Sequence, residues 1–215
     1  MIWTVFFIVC LKKVSSMIFF SPPYLSLLVS FLLSLPNVAL AQNPIHFVYL
    51  KGVVQEKQLV LNAVVEFELP PPVILAIDHD IHIQFKTEIV LLEEQDMLGM
   101  TFKRERQSIA YHTELYAYGV NRYYVLYNHR NYKRRTFQTL EAALQTLGTL
   151  QAMPIVDLSE LDAEKTYFLK IRLQLDKWRL PAPLLIDGLL EEYWRLNSGW
   201  QEVKVHIPKK VDIKR

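Results

Sequence analysis

Three stretches of this chain alternate apolar and polar residues with a period of two, and they predict a mainly β protein. They are residues 59–69, 81–91 and 167–175. Successive side chains on a strand point to opposite faces, so each stretch reads as a strand with one face in a core and one toward water. Convincing helical spacing is confined to about 139–148. Helices and strands do not alternate regularly, which argues against a parallel, doubly wound sheet. The expected fold is an antiparallel β-sandwich of about eight strands with one packed helix and short helical turns, built as a single domain over 42–207.

Each element follows from local chemistry. Residues 45–50 form a short apolar strand that Lys51-Gly52 ends. In 59–69, Leu59, Leu61, Ala63, Val65, Phe67 and Leu69 share the inner face. Pro70-Pro71-Pro72 stops that strand, because proline has no N–H for the ladder. Residues 73–78 read as one or two helical turns with proline in the first turn. The second alternation sets Ile81, Ile83, Phe85, Thr87, Ile89 and Leu91 inward, and Glu93-Glu94-Gln95-Asp96 reads as a solvated acidic break. Residues 101–118 and 121–128 form two long strands joined at Gly119-Val120-Asn121, where glycine supplies the unusual backbone angle. Residues 132–137 add a short strand. Thr139 caps a helix whose Leu140, Ala143, Leu144 and Leu147 make one apolar stripe, and Gly148 is its C-terminal cap. Residues 159–164 read as a helical turn. Leu180-Pro181-Ala182-Pro183 is a stiff extended connector, 184–192 is ambiguous between strand and helix, and 194–197 with 200–207 reads as a closing hairpin. Residues 208–215 form a basic mobile tail.

Residues 17–42 supply an address. Lys12 and Lys13 precede an apolar run, and Ala39 and Ala41 match the small-x-small pattern of a signal peptidase site. The order predicts export to the periplasm with cleavage after Ala41. Residues 14–35 are also nearly long enough to span a bilayer, so an uncleaved inner-membrane anchor facing the periplasm is the alternative. Met17 competes with Met1 as the start. The single cysteine, Cys10, lies before the cut, leaving no thiol or disulfide in the mature part. Residues 1–41 hold two of the 24 Lys and Arg and none of the 22 Asp and Glu, leaving 22 of each sign. That neutrality argues against a nucleic-acid partner.

Chemistry-bearing residues are sparse. Asp78, His79, Asp80 and His82 are the densest ligand window, but on a strand His79 and His82 diverge, so no metal is expected. Glu191 and Glu192 beside Trp194 and Trp200 hint at carbohydrate chemistry, yet adjacent carboxylates on a strand point apart. The motifs G-x-S-x-G, H-E-x-x-H, G-x-G-x-x-G and the P-loop do not occur, so no catalytic residue or cofactor is expected. The candidate binding patch is basic and aromatic. It comprises His129, Arg130, Tyr132, Lys133, Arg134 and Arg135, with Arg104 and Arg106 extending it from the preceding strand.

Four motifs carry a family resemblance: Val64-Val65-Glu66-Phe67-Glu68-Leu69 before prolines, Phe137-Gln138-Thr139-Leu140-Glu141-Ala142-Ala143-Leu144 with Gly148, Leu180-Pro181-Ala182-Pro183, and Trp194-Arg195-Leu196-Asn197-Ser198-Gly199-Trp200. Over about 45–207 the chain resembles an uncharacterised family of exported Gram-negative bacterial proteins. It is a domain-of-unknown-function family sometimes labelled proline-rich signal peptide proteins. With 11 prolines in 215 residues, this chain hardly fits that label. The resemblance implies no catalytic residues, and as a lead it implies envelope signalling beside a two-component sensor kinase. The leading expectation is a non-catalytic module that binds a protein or envelope component. The alternatives are a membrane-tethered accessory of such a kinase, and a hydrolase whose site assembles from distant strands.

Overall fold

The computed structural model describes residues 43–208; the expected export signal with Ala39 and Ala41, and residues 209–215, lie outside the described residues. Among the described residues, nine strands form two antiparallel sheets. One holds β1 (Ile45–Gln55), β2 (Gln58–Phe67) and β7 (Thr149–Asp157), in the order β1-β2-β7. The other holds β3 (Ile83–Met97), β4 (Met100–Tyr118), β5 (Tyr123–Asn128), β6 (Lys133–Phe137), β8 (Tyr167–Leu175) and β9 (Gln201–Val205), in the order β6-β5-β4-β3-β8-β9. Three helices complete the fold: α1 (Pro71–Asp78), α2 (Leu140–Gly148) and α3 (Ala182–Leu190).

The alternating stretches place their apolar faces between the sheets, as expected. Leu61, Val65, Ile83, Phe85, Ile89, Leu169, Ile171 and Leu173 are all buried, while Phe67 is half-buried and packs edge-on against Phe85 at 5.7 Å. Burial contributes about 1.5–3 kcal/mol for each such large side chain. The core divides into two clusters. One lies around Phe85, Leu173 and Trp194, the other around Leu61, Ile89 and Leu169. Thr139 caps α2 through its hydroxyl, which accepts from the Ala142 N–H at 3.2 Å. The stripe of α2 packs on β2, β5 and β6, at the end where the wide sheet overhangs the narrow one.

Several expectations are corrected. Lys51-Gly52 does not end β1, which runs on to Gln55. A Cβ on Gly52 would lie 2.7 Å from Leu169 Cδ1 and 2.8 Å from Val205 Cγ2, so the glycine lets the sheets approach inside a strand. Residues 93–96 are not a solvated break but part of β3, which turns at Leu98-Gly99 with both residues at positive φ, the mark of a tight two-residue hairpin. Glu93 is 1% exposed and held by Lys165 and by Arg106 Nε at 3.1 Å. Gly148 is the last residue of α2, with the extended Thr149 as cap, and a Cβ there would lie 2.2 Å from the Val65 carbonyl oxygen. Its role is close approach rather than a left-handed cap. Residues 182–183 belong to α3, so of the expected connector only Leu180 and Pro181 are extended. The closing hairpin does not form. Glu192–Trp194 is a 3₁₀ turn that buries Trp194, and β9 adds to β8 instead.

Candidate anion-binding cleft

The wide sheet overhangs the narrow one beyond β7, and α2 fills only part of the gap. What is left is a cleft of about 600 Å³. One wall is β7 from Thr149 to Pro154 together with the end of α2, and the other is the inner face of β4, β5 and β6. Leu126, Leu147, Leu150 and Met153 form its apolar floor. The β7 wall is irregular for a local reason. Pairing with β2 passes from Leu61↔Met153 to Ala63↔Leu150, so Gln151 and Ala152 oppose a single residue, Asn62. Ala152 takes φ +48°, and its N–H donates to Asn62 Oδ1 at 2.7 Å.

The opposite wall brings three cations into the cleft. Register sets Thr113, Asn128 and Lys133 side by side, and likewise Leu115, Leu126 and Arg135, so Lys133 and Arg135 share the inward face. The connecting turn is shaped by its asparagines. Arg130 N–H donates to Asn128 Oδ1 at 2.8 Å, Lys133 N–H donates to Asn131 Oδ1 at 3.1 Å, and Tyr132 sits at φ +57°. This geometry lays Arg130 against the cleft, 5.9 Å from the Tyr111 ring. Burial pushes the Tyr111 phenol above its ordinary range, so it stays a neutral donor, and it donates to Met153 Sδ at 3.9 Å. Among the described residues no Asp or Glu lines the cleft, and Arg130, Lys133 and Arg135 form no ion pair. Three cations with amide and hydroxyl groups beside them suit an anion.

The rest of the basic run lies elsewhere. Arg134 and His129 occupy the outer face, where Arg134 sits 5.7 Å from the Tyr127 ring and His129 Nε2 lies 3.9 Å from Glu114 Oε2. That distance is too long for a hydrogen bond, and among the described residues His129 Nε2 is buried without a hydrogen-bond partner. Tyr132 is exposed on the turn. Arg104 and Arg106 do not join the patch. Arg106 lies six positions along the strand from His112, which pairs with the turn through His129 N–H, a span of about 20 Å at strand rise. Arg106 is committed to Glu93, and Arg104 stands beside Glu93 in register.

The other windows do not converge. His79 Nδ1 is 2.8 Å from the Leu75 carbonyl, while His82 stacks on Tyr116 at 3.9 Å with Nδ1 3.0 Å from Glu114 Oε1. Among the described residues no group of three or more His, Cys, Asp or Glu is placed to hold a metal ion. Trp194 is buried away from Glu191 and Glu192, which are exposed, and Trp200 lies under Arg172 at 4.6 Å.

The β7 wall escapes a reading from sequence. Its inward residues are Leu150, Met153 and Ile155, a spacing of three and then two, because the bulge resets the parity. A search for period two passes over it. The visible signal is the apolar content of 149–156 between a capped helix and a turn.

No curated protein and no solved structure matches the chain. A family profile does match, over residues 43–204, which is nearly all of the two-sheet domain and both walls of the cleft. The resemblance carried by the proline-flanked strand and the capped helix thus holds at the level of the domain: the chain belongs to the family described as Domain of unknown function (DUF4390).

Proposed function

We propose that this domain is a non-catalytic binding module of the cell envelope that takes an anionic partner, a protein or another envelope component, in the cleft between β7 and the β5–β6 hairpin. One observation carries the reading: Arg130, Lys133 and Arg135 meet at a cleft where, among the described residues, no carboxylate neutralises them. Clustered cations repel one another, and a partner that relieves the repulsion gains in affinity and in encounter rate. Export is supported by the order of Lys12 and Lys13, apolar run and Ala39-x-Ala41.

The test is a photo-crosslinking residue at Gln145, on the rim of the cleft, in intact cells. An adduct of defined mass is expected, and it should vanish when Arg130, Lys133 and Arg135 are all changed to Gln. The same adduct from position 98, at the tip of the distant β3–β4 hairpin, would refute a site-specific partner. Mass spectrometry of the recovered protein should find Gln42 first. An intact chain in the membrane fraction would replace the periplasmic reading by the tethered accessory of a sensor kinase. Turnover of an ester or glycoside that survives the triple substitution would favour the hydrolase alternative.

A further inference from the structure

We infer that the occupant of this cleft is an extended polypeptide segment whose side chains alternate between acidic and aliphatic; the inference rests on the anion-binding reading above.

The shape of the β7 wall is the first reason. A strand that presents a face to a cleft contributes every second residue, because its side chains alternate. Here six consecutive residues, Thr149 to Pro154, line the wall, so the cleft sees the strand edge-on. Among the described residues that edge has no partner strand, since β7 is terminal in its sheet. Six residues at strand rise make a groove about 20 Å long. A compact anion such as phosphate fills only a small part of that length, whereas an extended segment fills all of it.

The opposite wall supplies the second reason. Lys133 and Arg135 stand two residues apart on the same face of β6, about 7 Å along the strand. Same-face side chains of an extended ligand repeat at that same interval, so two carboxylates at i and i+2 each meet a cation. Residues of the other parity then point at Leu147, Leu150 and Met153, which favour aliphatic groups. Along the rim, Gln145 and Gln151 carry amides that can donate to and accept from a peptide main chain, and Asn128 and Asn131, whose Oδ1 atoms hold the turn, have side-chain N–H groups to donate.

The edge is also protected from indiscriminate pairing. Ala152 N–H is turned back to Asn62, and Pro154 has no N–H to offer. A bulge and a proline are the devices that keep edge strands from joining any passing strand. A continuous backbone ladder is therefore denied, and selection falls to the cations and the floor.

The experiment uses the protein as recovered from cells and three probes: a fluorescein-labelled Glu-Val-Glu-Val-Glu-Val peptide, its isomer Glu-Glu-Glu-Val-Val-Val, and inorganic tripolyphosphate. Anisotropy at low and moderate salt reads the peptides, and competition reads the tripolyphosphate. The alternating peptide is expected to bind at least five-fold more tightly than the block isomer. Arg135→Gln and Lys133→Gln are each expected to weaken it about five- to ten-fold, while Lys51→Gln on β1 leaves it unchanged. Circular dichroism of each variant guards against a folding defect. Equal binding of the two peptides, or binding of tripolyphosphate alone, would overturn the peptide assignment and leave the anionic reading standing. Failure of all three probes would remove both.

Discussion

Gly148→Ala is the sharpest probe of how the helix docks. The new methyl would sit 2.2 Å from the Val65 carbonyl oxygen and 3.0 Å from Phe67 Cε2. A carbon and an oxygen in contact stand more than 3 Å apart, so α2 or β2 must move by about 1 Å. Neither moves freely: Val65 is buried in the middle of the narrow sheet, and α2 bridges to the wide one. Overpacking a core costs about 1–3 kcal/mol, and a backbone obstacle puts this substitution at about 3 kcal/mol. Urea unfolding at a slope near 2 kcal/mol/M would lower the midpoint by about 1.5 M, with the slope unchanged. Gly52→Ala is the internal comparison, because its obstacles, Leu169 Cδ1 and Val205 Cγ2, are side-chain ends. Val205→Ala combined with Leu169→Val should recover part of the Gly52→Ala loss. Shortening Phe67 should recover almost none of the Gly148→Ala loss. A Gly148→Ala midpoint within about 0.25 M of the parent would refute close approach as the role of this glycine.

Other outcomes follow from the same packing. Ile171→Ala should cost about 2–5 kcal/mol and Lys170→Ala, on the opposite face of β8, about 0.5 kcal/mol, both by urea unfolding. Arg172→Ala should fall between, at about 1 kcal/mol, because it loses the Nε bond to Glu88 at 2.9 Å and the stacking on Trp200. Thr139→Ala should cost about 1 kcal/mol by removing the cap of α2, with a matching loss of exchange protection at the Ala142 amide. The Glu93 carboxyl is held below its ordinary value of 4.5, first by the Lys165 hydrogen bond and then by Gln95. A depressed carboxyl stabilises the fold fully above about 4.5 and progressively less as pH falls through the lower folded value. The thermal midpoint should therefore drop on acidification from pH 5 to pH 3, and Glu93→Gln should flatten that dependence.

The parts of the fold that obey one rule at a time were legible in the sequence. In β3 up to Leu91 and in β8, alternation and burial agree residue by residue, and β2 departs from the pattern at Val60, buried on the outer face, and at the half-buried Phe67. The cap, stripe and length of α2 state one element three ways. Misreadings came where two requirements share a residue. Glu93 looks like solvent-facing charge, yet it belongs to a strand and is buried because Lys165, far along the chain, reaches it. Gly52 and Gly148 look like breaks because glycine favours turns, whereas here each makes room for a neighbour distant in sequence. The cleft was half legible. The basic run of 129–135 is plain in the sequence, but only register and packing show that Lys133 and Arg135 turn inward while Arg134 and His129 turn out. Its other wall depends on a bulge that needs the β2 partner to exist.

That partner sets a schedule for the chain. The hairpins β1–β2, β3–β4, β4–β5 and β5–β6 join sequence neighbours, so the cationic wall closes over short loops. The β7 wall must return across most of the domain to reach β2: Gln58 bonds Asp157, 99 residues away. Contacts of such long separation are slow to form, because the loop entropy is lost before the contacts reward it. The cationic hairpin thus waits for its counterpart, and the cleft is assembled by one of the longest closures in the chain. A partner bound across both walls would in turn hold that closure shut and slow the unfolding of the whole domain.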